Sequence, residues 1–131
     1  MKKEHPNMAV LQRLDLSNME ANAEVIADNF VWHYFNRELP ELHGDYHGIT
    51  GFADFFKKMA GDTGGSFTVN VISTTPMGDE LVVTHVKDTM TLKGKPIEVD
   101  AVVVWSIADG KIQEAWDIPA IHSVRDLEAL I

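Results

Sequence analysis

Asp109-Gly110-Lys111-Ile112-Gln113-Glu114-Ala115-Trp116-Asp117 links two apolar runs, Val102–Ile107 before it and Ile112–Ile118 after it. Asp-Gly between such runs is the strongest short hairpin signal, because a type I′ turn needs positive φ at both central residues. With Asp109 and Gly110 as the turn, Ala108 faces Lys111, Ile107 faces Ile112, Ser106 faces Gln113, Val104 faces Ala115 and Val102 faces Asp117. Asp117 then shares a sheet face with valines. A carboxylate there is either solvated at a strand end or set in an apolar cavity, and the choice separates a binding scaffold from an acid/base enzyme.

Working upstream, Phe67–Thr74, Leu81–Leu92 and Ile97–Ile107 read as further strands, punctuated by Met77-Gly78-Asp79 and Lys93-Gly94-Lys95. Before them lies helical text. Val10, Leu11 and Leu14 carry helical spacing over residues 8–15, and Ser17-Asn18-Met19-Glu20 has the form of a capping box opening a second helix to about Asp28. Phe30–Phe35 is β-branched and aromatic, which favours a strand, and residues 36–48 read as a loop or short irregular strand. Thr50 is the expected N-cap of a third helix, with Phe52, Phe55, Phe56 and Met59 on one face and Gly61 as its stop. Three helices followed by an antiparallel meander predict an α+β fold, with helices on one face of a curved sheet. Val99, Ala101, Val103, Trp105 and Ile107 form one apolar face of their strand, while Val102 and Val104 make the other apolar too. Helices cover only one face, so a second copy of the chain is expected on the other.

The 131 residues fit a single domain spanning 1–131, and 45% apolar with 24% charged residues is ordinary globular usage. There is no cysteine, which excludes disulfides and thiol chemistry. The start Met1-Lys2-Lys3-Glu4-His5-Pro6 leads into no apolar segment, and no run approaches a membrane span, so a cytoplasmic protein is expected. A net charge of -9 disfavours nucleic acid and anionic membranes as partners. The six histidines show no His-x-His or His-Glu-x-x-His spacing, so neither a metal nor another cofactor is expected.

The helix pair, then Phe30-Val31-Trp32-His33, His47-Gly48-Ile49-Thr50-Gly51-Phe52-Ala53-Asp54-Phe55-Phe56 and Gly110–Ile118 together resemble the SnoaL-like polyketide cyclase group of the nuclear transport factor 2-like superfamily. The resemblance spans nearly the whole chain. It implies a cone: a bent, mixed sheet wrapped over three N-terminal helices, with an apolar pocket at the open end and dimerisation through the sheet. It also implies that Asp117, matching an acid near the end of the final strand, is the general acid/base. Physically, an apolar cavity raises a carboxyl pKa toward neutrality, where it moves protons to and from carbon.

His33 is the second catalytic candidate, near where ketosteroid isomerases of the superfamily carry their proton-shuttling acid; the alternative is a satisfied histidine in or near the core. Trp32, Phe52, Phe56, Val102 and Val104 are the expected pocket lining. His85 reads as an exposed strand residue or a third candidate, and Asp100 shares the face of Val102, Val104 and, across the hairpin, Asp117. The Asp-Arg-Asp arrangement of epoxide hydrolases with this fold is not matched, since Arg13, Arg37 and Arg125 all lie outside the meander. A close match to the steroid isomerases fails as well, because the only tyrosines are Tyr34 and Tyr46. The expected function is cofactor-independent acid/base chemistry, of cyclase, isomerase or dehydratase type, on a small apolar carbonyl compound. The alternative is a non-catalytic ligand-binding or dimerisation module with the same cavity.

Overall fold

The computed structural model describes residues 5–127. Helix α1 (Pro6–Gln12) and a 3₁₀ turn (Met19–Glu24) precede β1 (Ile26–Tyr34), β2 (Gly44–His47) and helix α2 (Gly48–Thr63). The long strands follow: β3 (Thr68–Met77), β4 (Leu81–Leu92), β5 (Lys95–Ala108) and β6 (Lys111–Pro119), then a 3₁₀ turn (Ile121–Ser123) and the two-residue β7 (Arg125–Asp126). The sheet order is β2-β1-β6-β5-β4-β3, with β7 beside β5. β1 runs parallel to β6 and every other pairing is antiparallel, so the sheet is mixed. This is the expected α+β architecture. No described helix is long and apolar enough to cross a membrane.

Helix α2 is the main internal support. Phe52, Phe55 and Met59 fall on one stripe and are buried against Phe30, Trp32 and Tyr34, the inward-facing residues of β1. Ring centroids of 5.1 Å for Phe30–Phe52, 4.8 Å for Trp32–Phe52 and 4.8 Å for Tyr34–Phe55 give the tilted aromatic packing that the ring quadrupole favours. The helix starts at Gly48, before Thr50, and passes through Gly61 to end at Gly64, whose φ of 61° supplies the left-handed cap. Its first turn lies hard against β2. A Cβ built at Gly51 would sit 2.9 Å from the backbone carbon of Tyr46, so only glycine lets helix and strand approach this closely.

The expected second helix is replaced by the 3₁₀ turn. The Ser17 hydroxyl bonds the Asp15 carboxylate at 2.6 Å rather than capping a helix. Asn22, fully buried, accepts from the Asp15 amide and donates to the Asp15 carbonyl, both at 2.8 Å. That side chain closes the turn, and Val25 and Ile26 then drop into the core, with Ile26 opening β1. Burying two β-branched side chains outweighs a second turn of helix that the capping box alone would gain.

The hairpin of β5 and β6 begins in the expected register. Asp109 and Gly110 have φ of 56° and 72°, Ala108 faces Lys111 and Ile107 faces Ile112. One residue later the register slips: Ser106 faces Glu114, leaving Gln113 as the extra residue of a β-bulge. Every later partner is displaced by one, so Asp117 lies opposite Val103 and Ile118 opposite Val102. Because side chains alternate, this one residue moves Asp117 from the outer face to the inner one. Val102 and Val104 consequently face outward, correcting their expected place in the pocket.

Replacing Gly51 with alanine should force helix α2 away from β2. An overpacked contact of this kind costs about 1–3 kcal/mol, measurable as a lower urea midpoint with unchanged far-ultraviolet circular dichroism. Gly61→Ala, where an added Cβ meets nothing within 4 Å, should instead be neutral or mildly stabilising.

Candidate active site

The inner face of the sheet carries a row of residues in direct register: Tyr34 on β1, Asp117 on β6, Val103 on β5 and Thr84 on β4. Above this row is a cavity of about 300 Å³. Trp32, Phe55, Phe56 and Trp105 give it aromatic walls, and Met8 and Leu11 of α1 close it on one side. A second cavity of about 240 Å³ lies toward the start of β5, with Tyr34, Met59, Met90 and Val99 among its walls. The two share Phe67, Asp88 and Asp117.

Asp88 and Asp117 are each only 8% exposed. Burial pushes Asp88 up to about 7, with the charge of Asp100 adding to the effect. Burial also holds Asp117 well above the usual carboxylate range, and the charge of Asp88 raises it further. Both shifts follow from the penalty on an ion in an apolar site and from like charge nearby. Among the described residues, Asp88 Oδ1 and the Trp32 indole N–H are buried without a hydrogen-bond partner. The Trp105 indole, in contrast, donates to Thr84 Oγ1 at 3.2 Å. Tyr34 is also raised, by burial above all and by the charges of Asp117 and Asp88; its oxygen accepts from the Asn36 amide at 3.0 Å. The site thus holds two carboxyls whose proton affinities burial raises, Asp88 to about 7 and Asp117 well above the usual carboxylate range.

His33 does not join this pair. Its strand neighbours Trp32 and Tyr34 point inward, so alternation turns His33 to the outer face. There Nδ1 lies 2.6 Å from Asp45 Oδ1 and Nε2 2.5 Å from Glu114 Oε2, with the ring stacked on Trp116. Partial burial pulls its pKa down, but the hydrogen bonds and charges of Asp45 and Glu114 outweigh that and leave it raised. The imidazole is a clamp between β1, β2 and β6, which corrects its expected place beside Asp117. Asp100 is likewise on the outer face, bound to His85 at 2.8 Å and to Arg125 at 3.6 Å. Among the expected lining residues, Trp32 and Phe56 reach the cavity, while Phe52 is sealed in the core at 0% exposure. Among the described residues, no three His, Asp or Glu side chains converge as metal ligands.

Asp88 is the site residue that sequence reasoning passed over. Its signal was present: Val82, Thr84, Val86, Asp88 and Met90 form the period-two inner stripe of β4, and an acid interrupts an otherwise uncharged face.

The SnoaL-like domain model matches residues 8–115. The chain belongs to the SnoaL-like family. Solved structures agree in fold. IdmH from Streptomyces antibioticus, a candidate polyketide cyclase, is 20% identical over 97% of this chain and 99% of its own, with a TM-score of 0.68. TerC, co-crystallised with polyporic acid, is 19% identical over 90% and 94%, with a TM-score of 0.75. A nuclear transport factor 2-like protein of unknown function from Burkholderia pseudomallei is 16% identical over 87% and 90%, with a TM-score of 0.73. No curated protein matches the sequence significantly. At these identities the likeness establishes the SnoaL-like cone and leaves the chemistry to the residues inside it.

The raised Asp88 has a consequence for stability. Between the unfolded carboxyl value of 3.8 and the folded value of about 7, the native state holds more protons than the unfolded one, so stability falls as pH rises through that window. Asp88→Asn removes this loss. The variant should match the wild type near pH 4 and exceed it at pH 8, by at most on the order of 4 kcal/mol, when melting is followed at both pH values.

Proposed function

We propose that this SnoaL-like protein is a cofactor-independent acid/base enzyme of cyclase, isomerase or dehydratase type, acting on a small, mainly apolar carbonyl compound. The observation that carries this reading is the pair of buried carboxyls, both with raised proton affinities, at the base of an aromatic cavity. Two such groups divide into an acid and a base. Asp88, titrating around neutrality, takes the proton from a carbon next to the carbonyl. Asp117, whose proton affinity burial raises, donates a hydrogen bond in its protonated form to the carbonyl oxygen as enolate charge builds there. In a cyclisation, the enolate carbon then attacks a second carbonyl of the same substrate: a carbon–carbon bond forms, a C=O π bond opens, and the Asp117 proton passes to the new alkoxide. The aromatic walls exclude water, which strengthens both interactions and protects the enolate from competing protonation. The descriptions of IdmH as a candidate cyclase and of TerC as a protein that takes polyporic acid support the same class of ligand.

The proton-abstraction step can be read without the natural substrate. In deuterated buffer, the protein should speed hydrogen–deuterium exchange at the carbon beside the carbonyl of 2-tetralone, followed by NMR. Asp117→Asn and Asp88→Asn should each slow this by roughly 10²–10⁴, the usual worth of an acid/base group, while ligand binding changes little. Asp117→Asn should melt no earlier than the wild type, since a neutral amide is easier to bury than a charge. Exchange no faster than buffer, with binding intact, would leave a ligand-binding module.

The outer face supports a second proposal, a homodimer through the sheet. Val102 and Ile118 are directly paired and 37% and 47% exposed, with Val104 and Trp116 paired beside them. Sedimentation at micromolar concentration should show a dimer that Val102→Asp splits; a wild-type monomer would rule it out.

A further inference from the structure

The two cavities are not independent. Both are bounded by Asp88, Asp117 and Phe67, so the carboxyl pair and the Phe67 ring lie between them. The larger lobe is walled by Trp32, Phe55, Phe56 and Trp105 and suits a flat ring. The smaller is walled by Met59, Met90, Ile97, Val99, Pro119 and Ile121, flexible or aliphatic side chains that accept a second apolar group of less defined shape. Taken alone, at about 300 and 240 Å³, each lobe is at or below the floor of the roughly 300–1,000 Å³ typical of ligand sites. Together they fall within it. Asp88 lines both lobes and Trp32 the larger one, and each carries a buried polar atom without a partner.

We infer that the smaller lobe is a second ligand subsite, and that the protein takes elongated compounds in which a central enolisable carbonyl unit separates two mainly apolar arms. The carbonyl unit sits at the waist between Asp88 and Asp117, one arm lies among the four aromatic rings, and the other reaches past Tyr34 and Val99 toward Ile97 and Ile121. The arm in the larger lobe is uncharged, because that lining holds two acids and no Lys, Arg or His, whereas Lys93 and Glu38 are in the lining of the smaller lobe. The placing of the carbonyl rests on the acid/base reading of the carboxyl pair; the two-armed shape rests on the lobes alone.

A matched pair of probes separates the two. 1-Phenylbutane-1,3-dione carries one ring beside a 1,3-dicarbonyl unit, and 1,3-diphenylpropane-1,3-dione carries a ring on each side. Trp32 and Trp105 line the larger lobe, so quenching of tryptophan fluorescence reads its occupancy. The two-ring probe should bind the wild type at least tenfold tighter than the one-ring probe. Ile97→Phe and, independently, Ile121→Phe fill the smaller lobe from residues that are only partly buried and lie outside the larger one. Each should abolish the tenfold preference and leave the one-ring affinity unchanged. Equal wild-type affinities for the two probes, or a preference that survives both substitutions, would overturn the second subsite. Because binding and exchange are measured separately, a preference without tetralone exchange would defeat only the acid/base reading, and exchange without a preference only the second subsite.

Discussion

The placement of one extra residue, Gln113, governs the site. Period-two alternation leaves a strand no continuous way to change which face a residue occupies; only an inserted residue does it. Ile107 and Ile112, both fully buried, hold the turn end of the hairpin in the core. Ala115, Asp117 and Pro119, three to seven positions further along, are also buried. Even and odd positions of one strand reach the same interior only because the bulge lies between them. The Gln113 amide stabilises the irregularity by donating to the carbonyl of Ala108 at 2.9 Å and, more weakly, to that of Lys111 at 3.4 Å. Without the extra residue, the acid of the last strand would sit in solvent beside Val102.

Electrostatics then follow from which face each acid occupies. On β4, His85 and Lys87 alternate with Thr84 and Asp88; on β5, Glu98 and Asp100 alternate with Val99 and Ala101. Outward acids find basic partners: Asp100 meets His85 and Arg125, and Glu98 meets Arg125 at 3.1 Å and Lys87 at 3.8 Å. Hydrogen bonding to His85, above all, holds Asp100 below the usual carboxylate range. Inward acids meet valine, tryptophan and one another, and their affinities for protons rise. Two strands thus set the same functional group to opposite behaviour, according to parity alone. The outer pairs are solvent-screened and add little to stability, whereas the inner pair weakens the fold at neutral pH.

Elements determined by local pattern were legible in the sequence. The Asp109-Gly110 turn, the four long strands and the Phe52-Phe55-Met59 stripe all rest on short-range rules, and the structure shows each of them. What escaped depended on tertiary competition. The capping box at Ser17 lost to the burial of Val25 and Ile26, and Gly61 did not stop a helix whose buried face continues to Thr63. The bulge left no obvious mark, because Gln113-Glu114 is as compatible with a regular strand as with an irregular one. Asp117 was therefore singled out while its neighbours were assigned to the wrong face, and Asp88 was overlooked although its stripe was readable. His33 drew attention for its aromatic surroundings, yet Phe30, Trp32 and Tyr34 all point inward, and alternation turns the imidazole to the outer face, where it meets Asp45 of β2 and Glu114 of β6.

The roof of the larger cavity is fixed quite differently from its floor. Asn7, buried at the start of α1, donates its side-chain amide to the carbonyls of Asp79 and Ile107 at 3.0 and 3.1 Å, tying the helix to two turns of the distant meander. Met8 and Leu11 reach the cavity from that same short helix, as do Leu14 and Leu16 just beyond it. The buried carboxyls belong to strands and the ceiling to a stretch that no strand register constrains. Such a molecule is divided in construction: substitutions at Met8, Leu11, Leu14 or Leu16 reshape what the cavity admits without touching the strand register that buries Asp88 and Asp117.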